Sequence, residues 1–209
     1  DVEQVRFEVT AADGTPAETA GATVTAAQLR EAAALATGGP LFAVDTGAVA
    51  ERIRRLPPVA AVDVALEWPH TVAVRVVQRT PVATVHTSDG PALVDATGTV
   101  FPGTGAVDAA GLPALTVGTP GPTDRSTLAA VEVLGVLPEP VRGQVLTVAA
   151  IVDPSGVPGT ITLGLTDGRE IRWGAPERAA DKAAVLVPLL TQPGRVYDVT
   201  SPDLPTIQR

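Results

Sequence analysis

Cysteine and methionine are both absent from the 209 residues, and lysine occurs once, at Lys182. Without cysteine there can be no disulfide, no thiolate metal ligand and no cysteine nucleophile. Without methionine, translation cannot have begun inside this stretch, so Asp1 is expected to follow a segment lying outside it. Aromatic residues make up only 3%, and the cores must therefore be built from Val, Leu, Ile and Ala. Basic residues are the minority, with Lys+Arg at 15 against Asp+Glu at 23 and a net charge of −8. Through Arg79 there are 7 basic and 10 acidic residues, and beyond it 8 and 13. Neither half is a basic domain, and phosphate neutralisation requires a concentrated basic face, which argues against a nucleic-acid binder. No apolar run approaches the roughly 18 residues of a membrane span. The longest such stretch, Ala183 to Leu190, is short and interrupted by Pro188, so any anchor is expected N-terminal to Asp1.

What remains is apolar and foldable: 45% hydrophobic, 18% charged, mean hydropathy +0.25. That balance excludes a disordered chain, and the length suits one large domain or two small ones. Gln4 to Thr10 alternates as a half-buried strand, with Val5, Phe7 and Val9 on one side. Ala12 to Gly21 is rich in turn residues. Thr25 and Gln28 have capping-box spacing, and Val24 with Leu29 forms the staple of a first helix expected to reach about Thr37, before Gly38-Gly39-Pro40. Asp45 caps a second helix carrying Val49, Ile53 and Leu56, which Pro57-Pro58 ends. Strands follow at Val62 to Trp68 and Val72 to Val76, reversing at Pro69-His70, with Trp68 expected in the core or as a lid over the hairpin. The resulting order, β-α-α-β-β, closes an α+β unit with two helices over a small sheet.

Beyond Arg79 the pattern changes to a β meander: Pro81 to His86, Ala92 to Val94, and Thr99 to Phe101. A Gly/Pro-rich loop from Pro102 to Gly111 follows, then a helix capped by Asp124 with Leu128, Val131 and Leu134 as its stripe, ended by Pro138 and Pro140. Val145 to Val152 and a turn at Asp153 to Gly156 lead into strands Thr160 to Thr166 and Arg169 to Trp173. Asp167-Gly168 between those strands signals a hairpin, because both central residues of its turn need positive φ. A last helix starts near Pro176, with Pro188 kinking or ending it, and a strand is expected over Val196 to Thr200. A mixed β-sheet domain with two helices accounts for this order. The edge of its last strand is the expected working surface.

No reactive constellation emerges. His70 and His86 sit in or beside hairpins, where a solvent-facing role is the ordinary one. Lys182 lies mid-helix without Ser-x-x-Lys spacing and reads as a helix-surface lysine. Asp95, Asp153 and Asp167 are each followed by turn residues and are expected to bond backbone. Two histidines with no cysteine make no metal site, and no Gly-rich phosphate loop follows a strand. No catalytic residue, cofactor or metal is therefore expected. Arg52, Arg54 and Arg55 cluster on the second helix, as a solvated face or as a contact for an acidic partner or lipid headgroup.

Leu41-Phe42-Ala43-Val44-Asp45, Leu56-Pro57-Pro58-Val59, Glu67-Trp68-Pro69-His70 and Gln78-Arg79-Thr80-Pro81-Val82-Ala83 together resemble the extracytoplasmic part of the FtsQ/DivIB cell-division proteins. Leu93-Val94-Asp95, Gly98-Thr99-Val100-Phe101, Leu112-Pro113, the Lys182 helix and Tyr197-Asp198-Val199 resemble the β domain of that family. High Ala, Val and Arg usage is similar to that of actinobacterial members. The resemblance implies a POTRA domain over residues 1–79 and a β domain over 80–209. It further implies a non-enzymatic, single-pass membrane protein that binds FtsB- and FtsL-type partners outside the cytoplasmic membrane and, through them, engages the septal peptidoglycan synthase. Partner binding by strand addition would fall on Asp198 to Ile207, with Tyr197, Asp198, Val199, Thr200, Ser201, Asp203, Leu204 and Lys182 as contact residues. Pro202 and Pro205 cannot donate to a ladder, so no long regular strand is expected past Val199. A POTRA-bearing component of a transport or secretion complex is the alternative.

Overall fold

A computed structural model describes residues 1–16, 24–103, 111–151 and 159–209. The chain divides into two compact units, Asp1–Thr80 and Pro81–Arg209. The turn expected at Asp153 to Gly156, part of the Ala12 to Gly21 stretch and most of the Pro102 to Gly111 loop lie outside the described residues.

In the first unit the order is β1 (Gln4–Thr10), α1 (Ala26–Ala33), a short 3-10 turn at Leu41–Ala43, α2 (Thr46–Arg54), β2 (Val59–Glu67) and β3 (Thr71–Gln78). The sheet order is β1-β3-β2, with β3 parallel to β1 and antiparallel to β2. Being central, β3 is the most buried strand, and Val72, Val74 and Val76 face Leu29, Val49 and Ile53 across a single core. The Thr25–Gln28 capping box forms in both directions, and Asp45 Oδ1 accepts from Ala48 N at 2.9 Å. α1 stops sooner than expected. Ala34 turns left-handed at φ 46 and donates to the Arg30 carbonyl, closing the helix before the glycines are reached. On the opposite face Arg75 meets Glu8, Asp63 and Glu67 at 3.4–3.5 Å, and Arg6 meets Glu8 and Glu67. Trp68 is not a core residue: it is 71% exposed, standing where the hairpin reverses, with little cover from the described residues.

The second unit holds β4 (Pro81–Thr87), β5 (Gly90–Asp95), β6 (Val100–Phe101), β7 (Ala114–Thr116), α3 (Arg125–Val136), a one-turn α4 (Glu139–Arg142), β8 (Val145–Ile151), β9 (Thr160–Leu165), β10 (Glu170–Gly174), α5 (Ala179–Leu189), β11 (Val196–Asp198) and β12 (Thr206–Gln208). They form one nine-stranded mixed sheet in the order β12-β11-β10-β9-β8-β7-β4-β5-β6. Parallel neighbours need a crossover. Helix α3 lies on the β7-to-β8 connection and α5 on the β10-to-β11 connection. The two helices touch each other and so share one face of the sheet. Val131 and Leu134 of α3 and Leu186 of α5 share one core with Ile161, Leu163, Ile171 and Trp173 of the sheet.

The Asp167-Gly168 turn has both residues at positive φ, 61 and 68, as a tight hairpin requires. Asp95 takes backbone turn duty, accepting from Thr97 N at 2.8 Å and Thr99 N at 3.0 Å. Three helix details differ from expectation. Leu128 is 39% exposed, and Thr127, Ala130 and Val133 take the buried stripe beside Val131 and Leu134. Pro138 ends α3, whereas Pro140 opens α4, where a missing N–H costs nothing. Helix α5 begins at Ala179 and tolerates Pro188 in its last turn, where little ladder remains to be broken.

A C-terminal sheet edge as the candidate docking site

Strand β11 is where the open edge was expected, and its own chain covers it. After Asp198 the backbone leaves the sheet, turns at Ser201–Leu204 through a 3.1 Å bond from Leu204 N to Ser201 O, and returns as β12. β12 pairs antiparallel with β11, joining Val196 to Gln208, Tyr197 to Ile207 and Asp198 to Thr206. Pro202 and Pro205 both fall in this connection, where no ladder donor is needed, and the strand resumes once they are passed. Among the described residues β12 is thus the outermost strand at this end of the sheet. Its middle residue, Ile207, is half-buried and packs against the large core. Its Cγ2 lies over Gly194, with no room there for a Cβ.

The expected contact residues separate into two groups. Tyr197 and Val199 are buried, at 1% and 0% exposure. The Tyr197 hydroxyl donates toward Gln192 O at 2.8 Å and lies 3.1 Å from Gly194 O, and Val199 N donates to Arg172 O at 2.9 Å. Their side chains hold β11 in place and face inward. Asp198 Oδ1 accepts from Thr200 N at 3.0 Å, shaping the exit from β11. Thr200, Ser201, Asp203 and Leu204 are exposed, and Leu204 reaches 78%. Beside them, on the face of the sheet away from the helices, Thr162, Arg172, Gly174, Ala175 and Thr200 line an open concavity of about 360 Å³.

Lys182 is not a surface lysine. It is 2% exposed, its Nζ donates to Ala175 O at 2.6 Å, and it sits 5.8 Å from the centroid of the Trp173 ring. Lysine stems bury readily along a helix, and an indole face accepts a cation at this range. Burial pushes the ammonium pKa below its ordinary 10.5, with Glu177 opposing and Arg178 reinforcing that shift. Between the lowered value and 10.5 the unfolded chain holds more protons than the folded one, so stability rises with pH across that window. Lys182→Met is expected to change stability little at neutral pH, since relief of desolvation offsets the lost bond, and to flatten the alkaline rise. Thermal melts of both chains at pH 7 and near pH 10.5 check this; equal slopes would mean the ammonium is not desolvated.

Arg52, Arg54 and Arg55 of the first unit are also placed differently from one another. Arg52 donates to the Ala32 and Ala33 carbonyls at 3.3 and 2.6 Å, closing the C-terminal end of α1. Arg54 pairs with Glu51, and Arg55 is exposed. His70 lies on the surface with Nδ1 3.1 Å from Asp1 O, and His86 is exposed. Sequence reasoning passed over two features at the edge, the Arg178–Asp203 pair and the strand at Thr206–Gln208. Arg178 is the residue before α5 and contacts Asp203, and nothing in a linear reading pairs them. Thr206-Ile207-Gln208 carries a single polar–apolar–polar alternation, too short to register as a strand.

A β-α-α-β-β unit followed by a unit built on one mixed sheet, which ends in the short outer strand β12, places the chain in the α+β class. The family described as POTRA domain, FtsQ-type, matches residues 21–79, and that described as cell division protein FtsQ/DivIB, C-terminal, matches residues 83–204. The chain belongs to the FtsQ/DivIB cell-division family. It is 47% identical over 177 residues to the cell division protein FtsQ of Mycolicibacterium smegmatis, covering 85% of this chain and 51% of that protein. Against FtsQ of Mycobacterium tuberculosis the figures are 42% over 183 residues, 87% and 55%. Against FtsQ of Streptomyces bingchenggensis they are 39% over 217 residues, 97% and 76%. The chain therefore spans about half the length of the mycobacterial relatives. Among the described residues no helix is long and apolar enough to cross a membrane, and no group of His, Asp or Glu is placed to hold a metal ion.

Proposed function

We propose that this chain is the extracytoplasmic part of a single-pass cell-membrane protein, with a POTRA domain over residues 1–79 and a β domain over 80–209. It acts without catalysis as a divisome scaffold, binding FtsB- and FtsL-type partners and through them helping to recruit and regulate septal peptidoglycan synthesis. Membership of the FtsQ/DivIB family supports the divisome role, and the shorter span relative to the mycobacterial proteins leaves room for an anchor. The observation that carries the docking reading is the position of β12 at the end of the sheet order.

A strand at a sheet edge presents unpaired backbone groups, and a partner strand can satisfy them while alternate side chains set specificity. Thr206 and Gln208 point away from the core, and Leu204 stands just before them as an exposed apolar side chain. The segment Tyr197 to Gln208 thus contributes in two ways, Tyr197 and Val199 by supporting the edge and Thr200, Ser201, Leu204, Thr206 and Gln208 by meeting the partner. Lys182 supports the same region from beneath. Covering Leu204 on binding stabilises the complex by about 1.5–3 kcal/mol, so Leu204→Asp is expected to weaken the complex by at least ~10-fold. Titration of a peptide from the extracytoplasmic coiled-coil end of an FtsB-type partner, followed by calorimetry, measures this. An affinity equal to that of the unsubstituted chain would remove Leu204 from the interface.

A further inference from the structure

The connection between β11 and β12 is tied to helix α5 by one guanidinium. Arg178 Nη1 donates to Asp203 Oδ2 at 2.6 Å and Nη2 to Asp203 Oδ1 at 3.0 Å, while Nε donates to Asp181 Oδ2 at 2.9 Å. A two-pronged arginine–carboxylate pair fixes orientation as well as distance. Arg178 has a left-handed backbone, φ 56, at the N-terminal cap of α5, a conformation that costs free energy for any residue with a Cβ. The bonds hold the Asp203 carboxyl below the usual carboxylate range and raise the guanidinium above its own. One turn further along α5, Lys182 grips the Ala175 carbonyl. The segment from Gly174 to Arg178 is therefore held by Lys182 on the inside and reaches out through Arg178 to the loop that delivers β12.

We propose that Asp203 is a positioning residue and not a partner contact: the Arg178–Asp203 latch sets the direction in which the chain enters β12, and so preorganises the docking edge. The functional half of this inference rests on the docking reading above; the structural half does not. Thr206, the first residue of β12, follows Asp203 by three positions, and the strand has only three residues of pairing to hold it against β11. An exposed ion pair contributes little to global stability, so its effect is local, on the opening of β12 and on the ordering cost paid when a partner strand adds.

The test uses the 209-residue chain, with amide hydrogen exchange at Thr206 to Gln208 and titration of the FtsB-type peptide. Asp203→Asn is expected to speed exchange at β12 by about 3–10-fold and to weaken the peptide by a similar factor, with the melting temperature of the second unit unchanged. Asp203→Glu, which restores the charge, is expected to recover part of both. Arg178→Lys removes the fork and is expected to match Asp203→Asn, and the double variant to be no worse than either single one. Unchanged exchange in Asp203→Asn overturns the latch. Weaker peptide binding without faster exchange also overturns it, because Asp203 would then touch the partner directly. If the peptide binds no variant, including the original chain, the docking reading fails and the exchange rates alone decide the latch.

Discussion

Trp173→Ala is expected to lower the unfolding free energy of the second unit by about 3–5 kcal/mol. Trp173 is 0% exposed and heads the fully buried side chains by volume. It lies on β10 with Ile161, Leu163, Ile171 and Leu186 in the same core. The loss combines transfer of an indole out of an apolar site with the cavity left under α5, which a five-residue strand cannot collapse to fill. Two features act on the figure in opposite senses: the Trp173 Nε1 atom has no hydrogen-bond partner among the described residues, so no bond is lost with it, whereas Lys182 loses the ring it lies over. The first unit has a separate core centred on Leu29, Ile53 and Val74 and is expected to unfold as before. Denaturant unfolding followed by far-ultraviolet circular dichroism, with exchange protection at Val72 to Val76 as the control, measures the difference. A loss below about 1 kcal/mol would mean that the site relaxes around the gap.

Ile207→Asp is expected to weaken the FtsB-type peptide by about 30-fold or more. Ile207 is the one apolar contact that β12 makes, seated over Gly194 and against the core containing Tyr197. A carboxylate there avoids desolvation by pulling the strand away, which forfeits the burial of the isoleucine side chain, about 2 kcal/mol, or ~30-fold in affinity. The second unit should keep most of its stability, since Ile207 is only half-buried. Calorimetric titration beside a melting curve separates the two effects. Full affinity in a chain whose β12 amides exchange freely would place the docking surface elsewhere.

Much of the architecture could be read from residue pattern because its determinants are local. Thr25 with Gln28, Asp45 with Ala48, and Asp167 with Gly168 each act across four residues or fewer, and each forms in the structure as its chemistry demands. The alternation of Val72, Val74 and Val76 identified the buried face of β3. Burial of single residues was less legible. Trp68 and Lys182 exchanged their expected environments, the aromatic going to solvent and the cation to the interior. A hairpin turn offers an indole no cover, whereas a lysine stem can lie along a helix and spend its charge on one carbonyl and one ring. Neither outcome follows from residue type.

The sequence by itself determined that this protein has no cysteine chemistry and a net charge of −8, and that it is built as a β-α-α-β-β unit followed by a mixed sheet with two principal helices. It also determined where the prolines would break the last strand. Only the tertiary structure decided that the chain returns after those prolines as β12, covering β11 and moving the free edge outward. Only there does Arg178 meet Asp203, 25 residues apart. Caps and turns depend on neighbours in the chain and are written in short patterns. A sheet edge is defined by which strand has no neighbour in space, and that is set by packing across the whole unit.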